Sequence, residues 1–168
     1  MTFNVFRASF RLQFAAGFAV CAAVMAYALY AQHVLGFEPC PLCIFQRVAY
    51  IALGLVFLVG AVVAPARSSG RALLGVLALV PAVAGVGIAA RHVWMQHLPA
   101  DQVPSCGPPL EFLRETFPLV TVVKKVLTGS GQCAKIDWTF LGLSMPQWSL
   151  LTFAVLASWA VYAAFRRR

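Results

Sequence analysis

Four apolar runs dominate the chain: Leu12 to Ala31, Ile44 to Ala64, Ala72 to Ala90 and Trp148 to Phe165. Each approaches the roughly 20 residues that a helix needs to cross about 30 Å of hydrocarbon. The pattern predicts an all-α membrane protein: a four-transmembrane-helix bundle forming one domain over 1–168, with outer loops at about 32–43 and 91–147. The second outer loop is too long for a mere connector. Pro99, Pro104, Pro108, Pro109 and Pro118, followed by Thr128-Gly-Ser-Gly131, predict mostly irregular chain with flexible joints. Within it, Leu113, Phe117, Val120 and Val123 recur at helical spacing. Residues 110–127 therefore read as a short amphipathic helix lying along the membrane interface, bent or interrupted near Pro118; the competing reading is a loop segment packed on the bundle.

Composition excludes an ordinary soluble domain. Of 168 residues, 61% are hydrophobic and only 11% charged, and the mean hydropathy is +0.83. The net charge of +8 would suggest nucleic acid if taken alone, but its distribution removes that reading. Arg7 and Arg11 precede the first span, Arg67 and Arg71 lie in the short loop between the second and third, and Arg166, Arg167 and Arg168 follow the fourth, with no acid among them. All five acids fall in the other two loops. Lys and Arg mark cytoplasmic loops, so both termini are expected inside and both cysteine-bearing loops outside, in contact with lipid and with no nucleic-acid partner. The basic, then apolar, start resembles a secretory signal, yet the run is long and reaches Gln32-His33 without a small-residue cleavage site, which predicts an uncleaved anchor. Trp94, Trp138 and Trp148 fall near the outer span ends, where they suit interfacial anchoring or, alternatively, a stacking surface for a quinone ring. Gly75, Gly85 and Gly87 would let the third span pack closely, and Cys21, mid-span among Ala and Val, reads as a small buried apolar side chain.

The candidate chemistry lies in the other four cysteines. Cys40 and Cys43 form a Cys-x-x-Cys with Pro41 suited to the first turn of a helix, where free amides stabilise a thiolate. Arg47 follows Cys43 by four residues, one turn deeper on the same face, where a cation would favour the anion. Ionisable groups in spans are costly without a role, and the alternative for Arg47 is a cation snorkelling to the interface. Cys106 and Cys133, both flanked by glycine, can pair only by closing a loop across the amphipathic segment; alone they would suit a static staple. Zinc would normally use a second Cys-x-x-Cys, and here the other two cysteines are far apart, which argues against a metal site without closing the question. Covalent haem needs a His after the second Cys, and that position is Ile44. Of His33, His92 and His97, His92 is the best placed for chemistry.

Cys-Pro-Leu-Cys-Ile-Phe-Gln-Arg at 40–47, the separated Cys106 and Cys133, and the Trp-x-Phe-Leu-Gly-Leu-x-Met-Pro-Gln-Trp tail at 138–148 together resemble the bacterial disulfide bond formation protein B family, DsbB, over nearly the whole chain. The resemblance implies a protein-dithiol:quinone oxidoreductase of the inner membrane. In it, a disulfide matching Cys106 and Cys133 oxidises a DsbA-like periplasmic thiol oxidase of thioredoxin fold, Cys106 forming the mixed disulfide. Electrons then pass to the pair matching Cys40 and Cys43 and on to ubiquinone or menaquinone. It further implies that Cys43 faces the quinone, with Arg47 and, near the end of the third span, His92 beside it. The chain departs from the family pattern in carrying Gln46 where an acid can precede the arginine, and in carrying Cys21. Other classes stay open on sequence: a non-enzymatic four-helix scaffold or channel subunit with structural disulfides, and a related enzyme carrying electrons outward as a reductase or the other four-helix thiol–quinone family, whose Cys-x-x-Cys belongs to a different helix; the pair at the start of the second span favours the present reading.

Overall fold

The structure, a computed structural model, describes residues 9–99, 101–103, 112, 115–128 and 131–166. Cys106, Arg7, Leu113, Arg114, Arg167 and Arg168, which carry parts of the sequence reading, lie outside the described residues.

Four helices are long and apolar enough to cross a membrane: α1 (Phe10–His33), α2 (Pro41–Val63), α3 (Ser68–Gln96) and, after a short fourth helix in the long loop, α5 (Met145–Phe165). The chain is thus an all-α, multi-pass membrane protein. The helices run past the apolar stretches because their caps come from residues outside the hydrocarbon-length segment. Ser9 caps α1, accepting from the Leu12 amide, and Cys40 caps α2 through its sulfur, accepting from the Cys43 amide with Pro41 in the first turn. At the far end of α2, Ala64 adopts a left-handed conformation before Pro65 and the helix stops.

The bundle closes in the order α1, α2, α3, α5, with α3 against α5 the most extensive pairing and α5 returning to α1. Its centre holds Phe14, Leu53, Phe57, Phe153 and Leu156, with Tyr50 stacked on Phe153 at 4.0 Å between ring centres. Lipid supplies no hydrophobic drive between spans, so close approach has to come from small residues. Gly85 faces the Phe153 ring and Gly75 faces Ala164, with no room for a β-carbon at either, whereas Gly87 points into open space and contributes nothing to packing. Gly17 takes the Phe57 ring in the same way between α1 and α2. Cys21 is buried and sits against Gly54, as the apolar reading expects. At the end opposite the cysteines, the Arg11 guanidinium donates from Nε to the Ala61 carbonyl (2.9 Å) and from Nη2 to Val62 (3.2 Å), pairing a cation with the negative end of α2.

The described part of the long loop packs against the bundle. Phe112, Glu115 and Thr116 are helical, the chain breaks at Phe117-Pro118, and α4 resumes over Leu119–Thr128. The proline interrupts the helix because it supplies no amide hydrogen and crowds the preceding turn. The face turned inward differs from the one the spacing suggested. Val122 and Val126 are buried, while Val120 is 69% exposed and Leu119 74%. α4 thus packs Val122 and Val126 on the bundle and turns Leu119, Val120 and Lys124 outward. A 3-10 turn, Gly131–Ala134, then carries Cys133 inward. A two-residue hairpin follows, with β1 (Thr139–Phe140) antiparallel to β2 (Leu143–Ser144). Leu141 and Gly142 both take positive φ at its turn, the pairing that a tight hairpin matched to strand twist requires.

Candidate functional site

A second small core forms where the outer ends of α2 and α3 meet the long loop: Cys40, Leu42, Met95, Val122, Val126 and Cys133. The sulfurs come together here because three local devices converge. The Cys-x-x-Cys spacing on the first turn of α2 places Cys40 Sγ 3.0 Å from Cys43 Sγ. The last turns of α3 bring in His92, with Nε2 3.8 Å from Cys40 Sγ and Nδ1 4.0 Å from Cys43 Sγ. The 3-10 turn brings in Cys133, which is fully buried, hydrogen-bonds the Cys40 thiol, and meets the His92 ring through its backbone.

Cys40, just ahead of α2, has its thiol pushed up by the hydrogen bonds to Cys133 and to Cys43 and then by burial. The stabilisation expected of a helix start does not prevail at this sulfur, which acts as the protonated donor of the group. Burial further disfavours its charged form.

Beside the sulfurs opens a cavity of about 140 Å³, walled by Val24, Met25, Tyr27 and Ala28 of α1, by Cys43, Gln46, Arg47 and Tyr50 of α2, by His92, and by Trp138 of the loop. Arg47 lines it, but its described hydrogen bonds run to α1: Nη1 donates to Gln32 Oε1 and Nη2 to the Ala28 carbonyl (3.0 Å). Those two acceptors hold the planar guanidinium in one orientation on the cavity wall. Tyr27 and Trp138 approach at 5.9 Å between ring centres, putting one of the three interfacial tryptophans into the cavity. The other two are held elsewhere. Trp94 is covered by the Arg91 guanidinium at 4.1 Å, and Trp148 donates to the Phe140 carbonyl (3.1 Å).

Helical spacing thus brings Cys40, Cys43 and Arg47 to one cavity, and the loop returns Cys133 to Cys40. His33 ends α1 exposed, and His97 Nδ1 bonds back to the Val93 carbonyl (2.8 Å), so neither joins the group. Two residues of the site are not among the sequence candidates, Gln46 standing there only as a departure from the family pattern. Gln46 is 4% exposed and places its Nε2 3.1 Å from His92 Nδ1, and Gln32 accepts from Arg47. The available signal for Gln46 is a polar amide three residues from Cys43, and hence on its helical face, next to Arg47 at the start of an apolar run.

The match to known proteins is extensive. The family model described as disulfide bond formation protein DsbB matches residues 10–163. A relative named disulfide bond formation protein B from Xanthomonas euvesicatoria is 56% identical over 165 residues, covering 98% of this chain and 96% of the relative. Proteins of the same name from Acinetobacter baumannii and Xylella fastidiosa are 49% and 45% identical, covering 95% and 97% of this chain and 94% of each relative.

Proposed function

Because the chain belongs to the DsbB family of disulfide bond formation proteins, we propose that it oxidises a DsbA-like periplasmic dithiol protein and delivers the electrons to a membrane quinone. It does so from the bacterial inner membrane, with both termini cytoplasmic. The contact between Cys133 and Cys40 carries this reading, because it joins the loop pair to the helix pair.

Each transfer is a thiolate attacking a disulfide. A partner thiolate attacks Cys106 of a Cys106–Cys133 disulfide, forming a mixed disulfide and releasing Cys133. The partner's second thiolate then frees Cys106 and leaves the partner oxidised. Cys133, already beside Cys40, attacks that sulfur of a Cys40–Cys43 disulfide, forming a Cys133–Cys40 bond and releasing Cys43 on the cavity wall. Cys106 then attacks Cys133, restoring the loop disulfide and leaving Cys40 and Cys43 as the dithiol. Two electrons and two protons have moved from the partner to the α2 pair.

The cavity suits a quinone: one side is apolar and aromatic, through Val24, Met25, Tyr27 and Trp138, and the other carries Cys43, Arg47 and His92. When bound, a quinone supplies the acceptor for two electrons and two protons. Arg47, fixed by Gln32 and Ala28, contributes positive charge where negative charge develops, and a low-dielectric wall strengthens it. His92 lies within reach of both sulfurs and can hold the proton that leaves them.

The test is quinone reduction by purified protein given a reduced thioredoxin-fold substrate. Cys43→Ser should abolish it, and Arg47→Ala should lower kcat by roughly 10²-fold, the order found when one preorganised charge-stabilising donor is removed. Cys133→Ser should stop turnover with the protein substrate yet retain quinone reduction driven by a small dithiol that reaches the α2 pair directly. A parent protein without turnover would favour a static scaffold, and an unaffected Arg47→Ala would take the arginine out of the mechanism.

A further inference from the structure

Spacing along the chain argued against a metal because the second cysteine pair is distant, but the fold supplies a different set. We propose that the reduced cluster is also a binding site for a thiophilic d10 cation of the zinc class, with Cys40, Cys43 and His92 as ligands and Cys133 as the fourth. One ligand atom from each of the first three lies within 4.8 Å of the others, and all three are held on the rigid ends of α2 and α3. Bonds of about 2.3 Å to sulfur and 2.0–2.1 Å to nitrogen put tetrahedral ligand atoms roughly 3.5–3.8 Å apart. The 3.8 Å from Cys40 Sγ to His92 Nε2 lies close to that spacing, while the 3.0 Å between the sulfurs has to open on binding, which rotation of the Cys43 side chain allows.

The donor set selects the ion. Thiolate and imidazole favour zinc, cadmium or copper(I), and no carboxylate joins the group among the described residues, so a hard oxygen-seeking cation is excluded. Gln46 supplies the orienting contact. A ligating histidine normally donates its other ring N–H to an acceptor, and a half-turn of the Gln46 carboxamide presents Oε1 to Nδ1, leaving the Nε2 lone pair for the metal. Cys133 already touches Cys40 and is the nearest further thiol, so movement of the 3-10 turn would complete the tetrahedron. Binding releases the thiol protons and changes no oxidation state. Occupied thiolates cannot attack a disulfide or be oxidised, so the cation holds the relay reduced. That consequence alone rests on the redox reading; the binding does not.

The experiment uses quinone-free protein in detergent, reduced with a phosphine and titrated with Cd²⁺, following thiolate-to-cadmium charge-transfer absorption and competition by Zn²⁺. We expect one equivalent per chain, no binding by disulfide-closed protein, at least about tenfold weaker binding in His92→Ala and in Cys133→Ser, and no change in Cys21→Ser. Cadmium-113 resonance of the parent reads the ligand set without any variant. A shift typical of mixed sulfur and nitrogen ligation supports the site; one typical of a dithiolate completed by water, or His92→Ala titrating like the parent, overturns it. Zn²⁺ inhibition of turnover that a chelator reverses is expected only if the redox reading also holds, so the two proposals fail separately.

Discussion

At the scale of single residues, the site was legible where its partners are close in sequence and illegible where the fold brings them together. Cys40, Cys43 and Arg47 are related by helical spacing alone, so a sequence suffices to put them on one wall. His92 is 49 positions from Cys43, and only the packing of α2 on α3 sets its ring beside both sulfurs. Gln46 was noticed as a departure from the family pattern, but its partner could not be named until α3 was placed. The same limit applies to the glycines, three of which look alike on the third span. Gly85→Val would drive a branched side chain into Phe153, an overpacking that typically costs about 1–3 kcal/mol. It should lower the melting temperature in detergent, while Gly87→Ala, facing open space in mid-helix, should leave that temperature equal or slightly higher.

Among the elements, length and hydropathy fixed the four spans because a bilayer imposes both. The loop is harder, since its segments answer to packing rather than to a membrane thickness. The break at Pro118 follows from proline chemistry, yet the buried face of α4 does not follow from its apolar pattern, because apolar residues lie on more than one side of the helix and only contact with Leu42 and Met95 in the second core selects Val122 and Val126. The tail motif finds its physical account in the hairpin. Gly142 serves the turn, and Ser144 links the hairpin to two helices, its amide donating to Gln147 Oε1 (2.7 Å) and its hydroxyl to Gln96 Oε1 at the end of α3 (2.7 Å). Ser144→Ala should therefore cost about 1 kcal/mol. Thermal unfolding and proteolysis of the 131–144 segment would both report it, the second rising more if the loss is local.

For the whole molecule, charge and chemistry occupy opposite ends. Arg11 grips the end of α2, Ser68 to Ala72 lie beside Ala164 to Arg166, and the cysteine cluster sits at the other end of the same helices. If that polarity orients the protein as proposed, replacing Arg67 and Arg71 together by alanine should invert a measurable fraction of molecules. A phosphatase reporter at the C-terminus, active only when exported, would rise from background; unchanged reporter activity would assign orientation to the other cations.

The covering of Cys40 and Cys133 by Val122 and Val126 has one more implication. If the proposed relay operates, the roof over these sulfurs belongs to the same stretch of chain that would travel to collect electrons, so shielding and delivery would be one motion. A stray thiol from the surroundings would then find no short circuit while the arm is home, and any change that loosens α4 to speed its journeys would also let the current leak.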